Sequence, residues 1–236
     1  MHLDRRQILA LPLVLAARPV WAAGRAAVER EMVTTWYRLI LELVRHTATY
    51  TPPVASRAFG YIGVAAHEAL ATGNRSLVSL AGQVNGLTPV PARPEGMFDE
   101  ACVLHATLAA SAQELFANTG PTGQRALSAL EKQLGETASD GIAADVVDRS
   151  VAHGRAVAAH ILAWAETDGG AVIENMGFPR EYTPGTNPQD WVPTSLVRQQ
   201  QAPLLPFWGK VRPFAMPTGA SCPVPAPPEY SEDPAS

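Results

Sequence analysis

Apolar residues recur at helical spacing along most of the first 170 positions. Trp36, Leu39, Ile40, Leu43 and Val44 form one stripe, with Glu31, Arg38, Glu42 and Arg45 on the opposite side, which predicts a helix over 26–48. Thr51-Pro52-Pro53 opens a second helix, proline being tolerated in a first turn. Its small residues Ala55, Ala58, Ala65, Ala66 and Ala69 suit a central, closely approached helix. A short third helix is expected over 76–84, then a long one over 97–117 and a shorter one over 122–135. The longest is expected over 139–167, stopping at Asp168-Gly169-Gly170. No repeat and no strand pair is evident. The pattern predicts an all-α fold: a bundle of five to six helices occupying residues 26–170.

Beyond Gly170 the periodicity ends. Thirteen of the 21 prolines fall between Pro179 and Pro234, so residues 171–236 read as an extended, proline-rich C-terminal strap and linker. Phe178, Tyr182, Trp191, Phe207, Trp208 and Phe214 are costly to leave in water. The strap is therefore expected to pack on the bundle as far as Phe214, with disorder from Pro217 onward.

The first 23 residues have a different grammar. Arg5-Arg6 precedes an apolar run from Ile8 to Ala17, followed by Val20-Trp21-Ala22. A basic start, an apolar centre and a small-residue cleavage site describe a signal peptide, here of twin-arginine type. The protein is thus expected to be exported to the periplasm or beyond, with no membrane span after cleavage. The rival reading is an amphipathic first helix of the domain.

Composition adds limits. Apolar residues make up 47% and charged residues 17%, with a formal charge of −4. That is a globular chain and a poor partner for nucleic acid. Cys102 and Cys222 could pair in an oxidising compartment, but a buried structural thiol beside an unrelated second one is the preferred reading. His153 and His160 lie seven apart on one helix and, with Asp145 or Asp148, could hold a metal. Core or packing roles are the preferred reading there. His105, between Leu104 and Leu108, reads as a hydrogen-bonded core histidine. His67-Glu68 and Glu42 with His46 read as surface pairs. Arg149 with His153 would make only a weak phosphate grip. The aromatics Trp36, Phe59, Tyr61, Phe98, Phe116 and Trp164 read as core. No Gly-x-Ser-x-Gly elbow, glycine-rich phosphate loop, HExxH or zinc spacing occurs.

Several segments together resemble the N-terminal helical region of bacterial vanadium-dependent haloperoxidases, within the type 2 phosphatidic acid phosphatase and haloperoxidase superfamily. They are Trp36 to Arg45 with Thr51 to Ala58 and Ala66-His67-Glu68-Ala69, then Gly154 to Leu162 with Asp168-Gly169. Trp191-Val192-Pro193-Thr194, Pro206 to Phe214 and the prolines of Pro223 to Tyr230 complete the series.

The resemblance implies a scaffold region that packs against the helices carrying the chemistry. It also implies what that chemistry needs: a vanadate or phosphate cradle of a lysine, two arginines, a Pro-Ser-Gly-His segment and a second histidine. Neither Lys132 nor Lys210 is followed at the family's spacing by Arg-Pro. Pro121-Thr122-Gly123-Gln124 and Pro217-Thr218-Gly219-Ala220 lack the histidine. Ser56-Arg57 with Gly60, Gly63 and His67 is only a lookalike of the closing motif.

No catalytic, cofactor-binding or metal residue is therefore assigned. Vanadate is implied only by the resemblance, if a catalytic half exists. The expected partner is such a half, missing from this chain, or a second copy in a homodimer. The leading expectation is the N-terminal scaffold half of an exported haloperoxidase-like or acid-phosphatase-like protein, inactive alone. The alternative is a non-catalytic periplasmic helical domain that binds a partner or is a truncated relic.

Overall fold

The computed structural model describes residues 5–170, 182–192, 203, 205–226 and 228–235, the first nineteen of these by backbone alone. Five α-helices follow one another: α1 (Arg5–His46), α2 (Pro52–Ala71), α3 (Glu100–Leu115), α4 (Pro121–Ser139) and α5 (Ala144–Glu166). Among the described residues there is no strand, only an isolated bridge between Ala81 and Val84. No described helix is long and apolar enough to cross a membrane.

Helix α3 is the centre, and the other four all pack on it. This corrects the expectation that α2 would be the central helix. Eleven of its residues from Ala101 to Ala112 are buried, including the consecutive run Ala101 to Ala109. A helix apolar all round has no face to give to water and must be surrounded. Helix α2 keeps a polar side at Ser56 and Arg57. The Asp99 side chain caps the start of α3 by accepting from the Cys102 N–H at 3.0 Å, satisfying one of the orphan amides of the first turn. The longest helix is α1, not the one before Gly170, because α1 runs back from the expected start near residue 26 to Arg5, while α5 begins only at Ala144.

The expected helix over 76–84 is absent. Glu68 explains why. Its carboxylate is buried and accepts from Ser79 Oγ at 2.8 Å and from the Leu80 N–H at 2.6 Å, which holds the segment in turns. Glu68 is thus not a surface partner of His67. The His67 ring bonds the Val78 carbonyl instead.

Two contacts fix the middle of the bundle. Gly154 of α5 lies against α3 so closely that a Cβ there would stand 2.4 Å from the Val103 carbonyl oxygen and 2.9 Å from Ala106 Cβ. The Thr107 hydroxyl then reaches both the Val103 and Gly154 carbonyls at 2.9 Å. On the other side of α3, Trp36 Nε1 of α1 donates to His105 Nδ1 at 3.3 Å, and the same imidazole bonds the backbone of Glu131 on α4. His105 therefore ties three helices together in its neutral form, as a core histidine. Burial holds its pKa down to about 4. Cys102 is also a core group. Its thiol donates to the Ala138 carbonyl, and burial pushes its pKa up to about 12. Cys222 is exposed, and both cysteines are free.

Two measurements check this core. Gly154→Ala should lower the urea-unfolding free energy by about 1–3 kcal/mol, since backbone and not a yielding side chain blocks the new methyl. An unchanged midpoint would mean that α3 and α5 are not in this register. For His105 the folded pKa lies below the unfolded value of about 6.5. The unfolded chain therefore takes up a proton first, and stability present above pH 6.5 falls as the pH drops toward 4. At 1.36 kcal/mol per pKa unit the loss is of the order of 3 kcal/mol. Urea midpoints at pH 7.5 and 4.5 should show that fall, and His105→Gln should flatten it.

Candidate functional site

The densest polar cluster lies where the strap crosses the bundle. Arg57 and Tyr61 are one turn apart on α2, and Asp168 follows the end of α5. Arg57 Nη2 donates to Asp168 Oδ2, and Arg57 Nε donates to Tyr61 Oη at 2.9 Å. The Tyr61 hydroxyl in turn donates to the Asp168 carboxylate, 2.7 and 2.9 Å from its two oxygens. The Gly170 N–H supplies a further donor to Asp168 at 2.7 Å. The Asp168 carboxylate is fully buried and meets donors from three sides. Burial raises the Tyr61 pKa, so the phenol stays protonated and remains a donor.

The strap closes over this group. Arg57 Nη2 also donates to the Arg212 carbonyl at 3.0 Å, and the Arg212 N–H donates to the Asp168 carbonyl at 3.1 Å. The Arg212 guanidinium reaches the Trp164 carbonyl at 3.0 Å and the Thr167 hydroxyl at 3.1 Å. A cation at the last turn of α5 suits the negative end of the helix dipole. Phe214 stacks on Trp164 with centroids 5.4 Å apart and lies under the Arg57 guanidinium at 4.3 Å. Gly60 makes the seat, because a Cβ there would be 2.3 Å from Phe214 Cε2. Asn85 completes the attachment, its amide and backbone N–H bonding the Pro213, Met216 and Phe214 carbonyls. The strap thus packs on the bundle at Phe214 as expected, and from Ala215 on every described residue is exposed. Phe178, Pro193 and Thr194, also expected to matter, lie outside the described residues, as do Met1 to Asp4.

A second cluster sits at the end of α2. Arg93 makes a two-pronged pair with Glu100, at 2.7 and 2.6 Å, and donates from Nε to the Thr72 hydroxyl at 3.0 Å. That hydroxyl already donates to the Ala69 carbonyl, so His153 Nε2, 3.0 Å away, must carry its proton toward Thr72. Phe98 meets the edge of the His153 ring and lies under Arg93. Burial lowers the His153 pKa, with the Arg93 charge adding to the effect.

The candidate metal set does not converge. His153 is taken by Thr72, and His160 by the Thr88 hydroxyl and carbonyl. Asp145 pairs with Arg149 on its own helix. Among the described residues, no three His, Cys, Asp or Glu side chains are placed to hold a metal ion. Arg149 binds Asp145 and the Met97 carbonyl. Glu42 and His46 are an exposed pair at 3.7 Å. In the Ser56-Arg57 lookalike, Arg57 is consumed by Asp168 and His67 by a loop carbonyl.

Among the described residues, the three arginines paired in the interior do not form a cradle for vanadate or phosphate. Such a group needs converging cations with no competing carboxylate. Here Arg57 faces Asp168, Arg93 faces Glu100 and Arg25 of α1 faces Asp99. Sequence periodicity missed these three pairs, whose partners lie 7 to 111 positions apart. Asp168 had read as no more than a stop signal. What the cluster can do is hold the strap to α2 and α5.

That role is testable. Asp168→Ala strands the Arg57 charge in a buried setting, a change that costs about 3–5 kcal/mol. It should expose the strap to trypsin at the Lys210–Val211 bond well before the bundle is cut. Simultaneous loss of bundle and strap, or no change in cleavage, would count against the attachment.

No protein-family profile matches the chain, and no curated protein matches it. Among solved structures, the chain is similar to a bacterial vanadium-dependent iodoperoxidase, with 30% identity and a TM-score of 0.65. The alignment covers 87% of this chain and 47% of that one, so the chain spans about half the length of the protein it matches. An all-helical bundle and a sequence identity of this size over most of the chain agree: the chain belongs to the haloperoxidase-like superfamily.

Proposed function

We propose that this chain is the N-terminal scaffold part of an exported vanadium-dependent haloperoxidase-like or acid-phosphatase-like protein, with the residues that hold vanadate or phosphate lying outside it. The observation that carries this is the match to the iodoperoxidase: 87% of this chain against 47% of that one. The neutralised arginines support it, since each buried guanidinium facing a carboxylate is unavailable to an oxyanion. Export rests on the Arg5-Arg6 pair, the apolar run Ile8 to Ala17 and the small residues at Val20-Trp21-Ala22.

One observation favours the alternative, a non-catalytic domain that binds a partner or is a relic. On the described bundle, the exposed large hydrophobics are Leu41 of α1 and Val78 and Met97, nineteen positions apart in the connection between α2 and α3. A half-molecule would be expected to bare a contiguous apolar patch.

Vanadate titration of the purified chain, followed by vanadium-51 resonance and by iodide oxidation with hydrogen peroxide, tests the placement of the cradle. No line shift and no oxidation are expected, and p-nitrophenyl phosphate should not be hydrolysed. Stoichiometric vanadate binding with turnover would overturn the proposal. The native coding sequence past codon 236 separates the two readings: Lys-x6-Arg-Pro, Pro-Ser-Gly-His and Ser-Arg-x3-Gly-x-His in frame would identify the scaffold part, and a stop without them the alternative.

A further inference from the structure

Not all strap aromatics pack on the bundle. Tyr182 stands between Trp191 and Phe207, with ring centroids 6.1 and 6.0 Å away. Trp191 and Phe207 each leave about two-fifths of their surface in water, next to the exposed Val192. Leu205 and Phe207, at φ +53° and +66°, are the described non-glycine residues in the left-handed region. Such backbone is unfavourable for side chains of this size and persists only where the surroundings impose it. Lys210 Nζ lies 4.7 Å over the Phe207 ring, giving the patch a positive end.

The same chain carries a ligand suited to this patch. Residues 222–230, Cys-Pro-Val-Pro-Ala-Pro-Pro-Glu-Tyr, are exposed wherever they are described, Val224 at 85%. Proline fixes its own φ and pushes the residue before it toward extended backbone, so the segment is set for a polyproline II rod. Aromatic-lined surfaces bind such rods because little entropy remains to be lost. Glu229 and Glu232 follow the prolines, opposite in charge to Lys210.

The geometry favours a rod from another molecule. Gly219 lies beside the Gly209 carbonyl, so the tail leaves from the edge of the patch. At about 3.1 Å per residue, the rod carries its acidic end roughly 20 Å away and is too stiff to double back. A second copy has no such restraint. We propose that the Tyr182, Trp191 and Phe207 patch of one copy binds the Pro223–Tyr230 segment of another, reciprocally, in a two-fold dimer. The inference stands apart from the haloperoxidase reading and needs no catalytic half.

Sedimentation velocity of the full chain over rising concentration, with fluorescence polarisation of a labelled peptide of residues 221–233, tests it. Expected are a monomer–dimer equilibrium and saturable peptide binding. Trp191→Ala and Phe207→Ala should each weaken both at least about tenfold. Pro225→Ala with Pro228→Ala, which leaves the bundle and patch untouched, should weaken the dimer alike. Lys210→Glu should weaken the dimer, and adding Glu229→Lys should restore part of it. A monomer at all concentrations with no peptide binding overturns the proposal, as does a dimer indifferent to Trp191→Ala and to the proline pair.

Discussion

From Ala101 to Ala109 helix α3 has no side for water, and the architecture follows from that constraint. A helix buried all round must find a partner in every direction, and α1, α2, α4 and α5 are those partners. Its small residues and Gly154 allow backbone-to-backbone approach on the α5 side. On the α1 and α4 side the core includes the large side chains Trp36, Leu108 and Phe116. Apart from the Ser111 hydroxyl, the polar groups of α3 in this interior have partners: His105 between Trp36 and Glu131, Thr107 between two carbonyls, the Cys102 thiol on Ala138. Each would otherwise carry the penalty of an unsatisfied buried group.

Around that centre, arginine pairs join elements remote in sequence. Arg25 ties α1 to the N-cap of α3, Arg93 ties the loop before α3 to its first turn, and Arg57 ties α2 to the chain leaving α5. Each closes a junction that packing alone would leave wet. A buried pair adds little net stability over a well-packed apolar contact, but losing one partner strands a charge. Such pairs therefore fix which segment lies where. The strap is the clearest case: Arg57, Asp168 and Arg212 specify the crossing, and Phe214 seated on Gly60 makes it dry.

Pairing of this kind has a functional consequence. A guanidinium that faces a carboxylate has no field left for an oxyanion, so the most basic points of the described interior serve connection. The neighbourhood of the lookalike motif on α2 illustrates this. Arg57 is held by Asp168, Gly60 is occupied by a phenylalanine ring, and His67 secures a loop. Similar residue types at altered spacing have been put to structural use.

The sequence by itself determined the helices with long apolar stripes, the stop at Asp168-Gly169-Gly170 and the strap's contact through Phe214. These are local: 3.6-residue periodicity, proline and glycine act within a few positions. The resemblance to the haloperoxidases was legible too, because it lies in short ordered motifs. Only the tertiary structure decided that α3 and not α2 is central, since alanine content reports close approach but not enclosure. It alone decided that 76–84 is irregular, because a buried carboxylate at Glu68 outcompetes the helix for the amides of that segment. The Arg25–Asp99, Arg57–Asp168 and Arg93–Glu100 pairs were likewise decided there. An ion pair leaves no periodic trace in a sequence; it exists only once folding has brought its two ends to the same dry place.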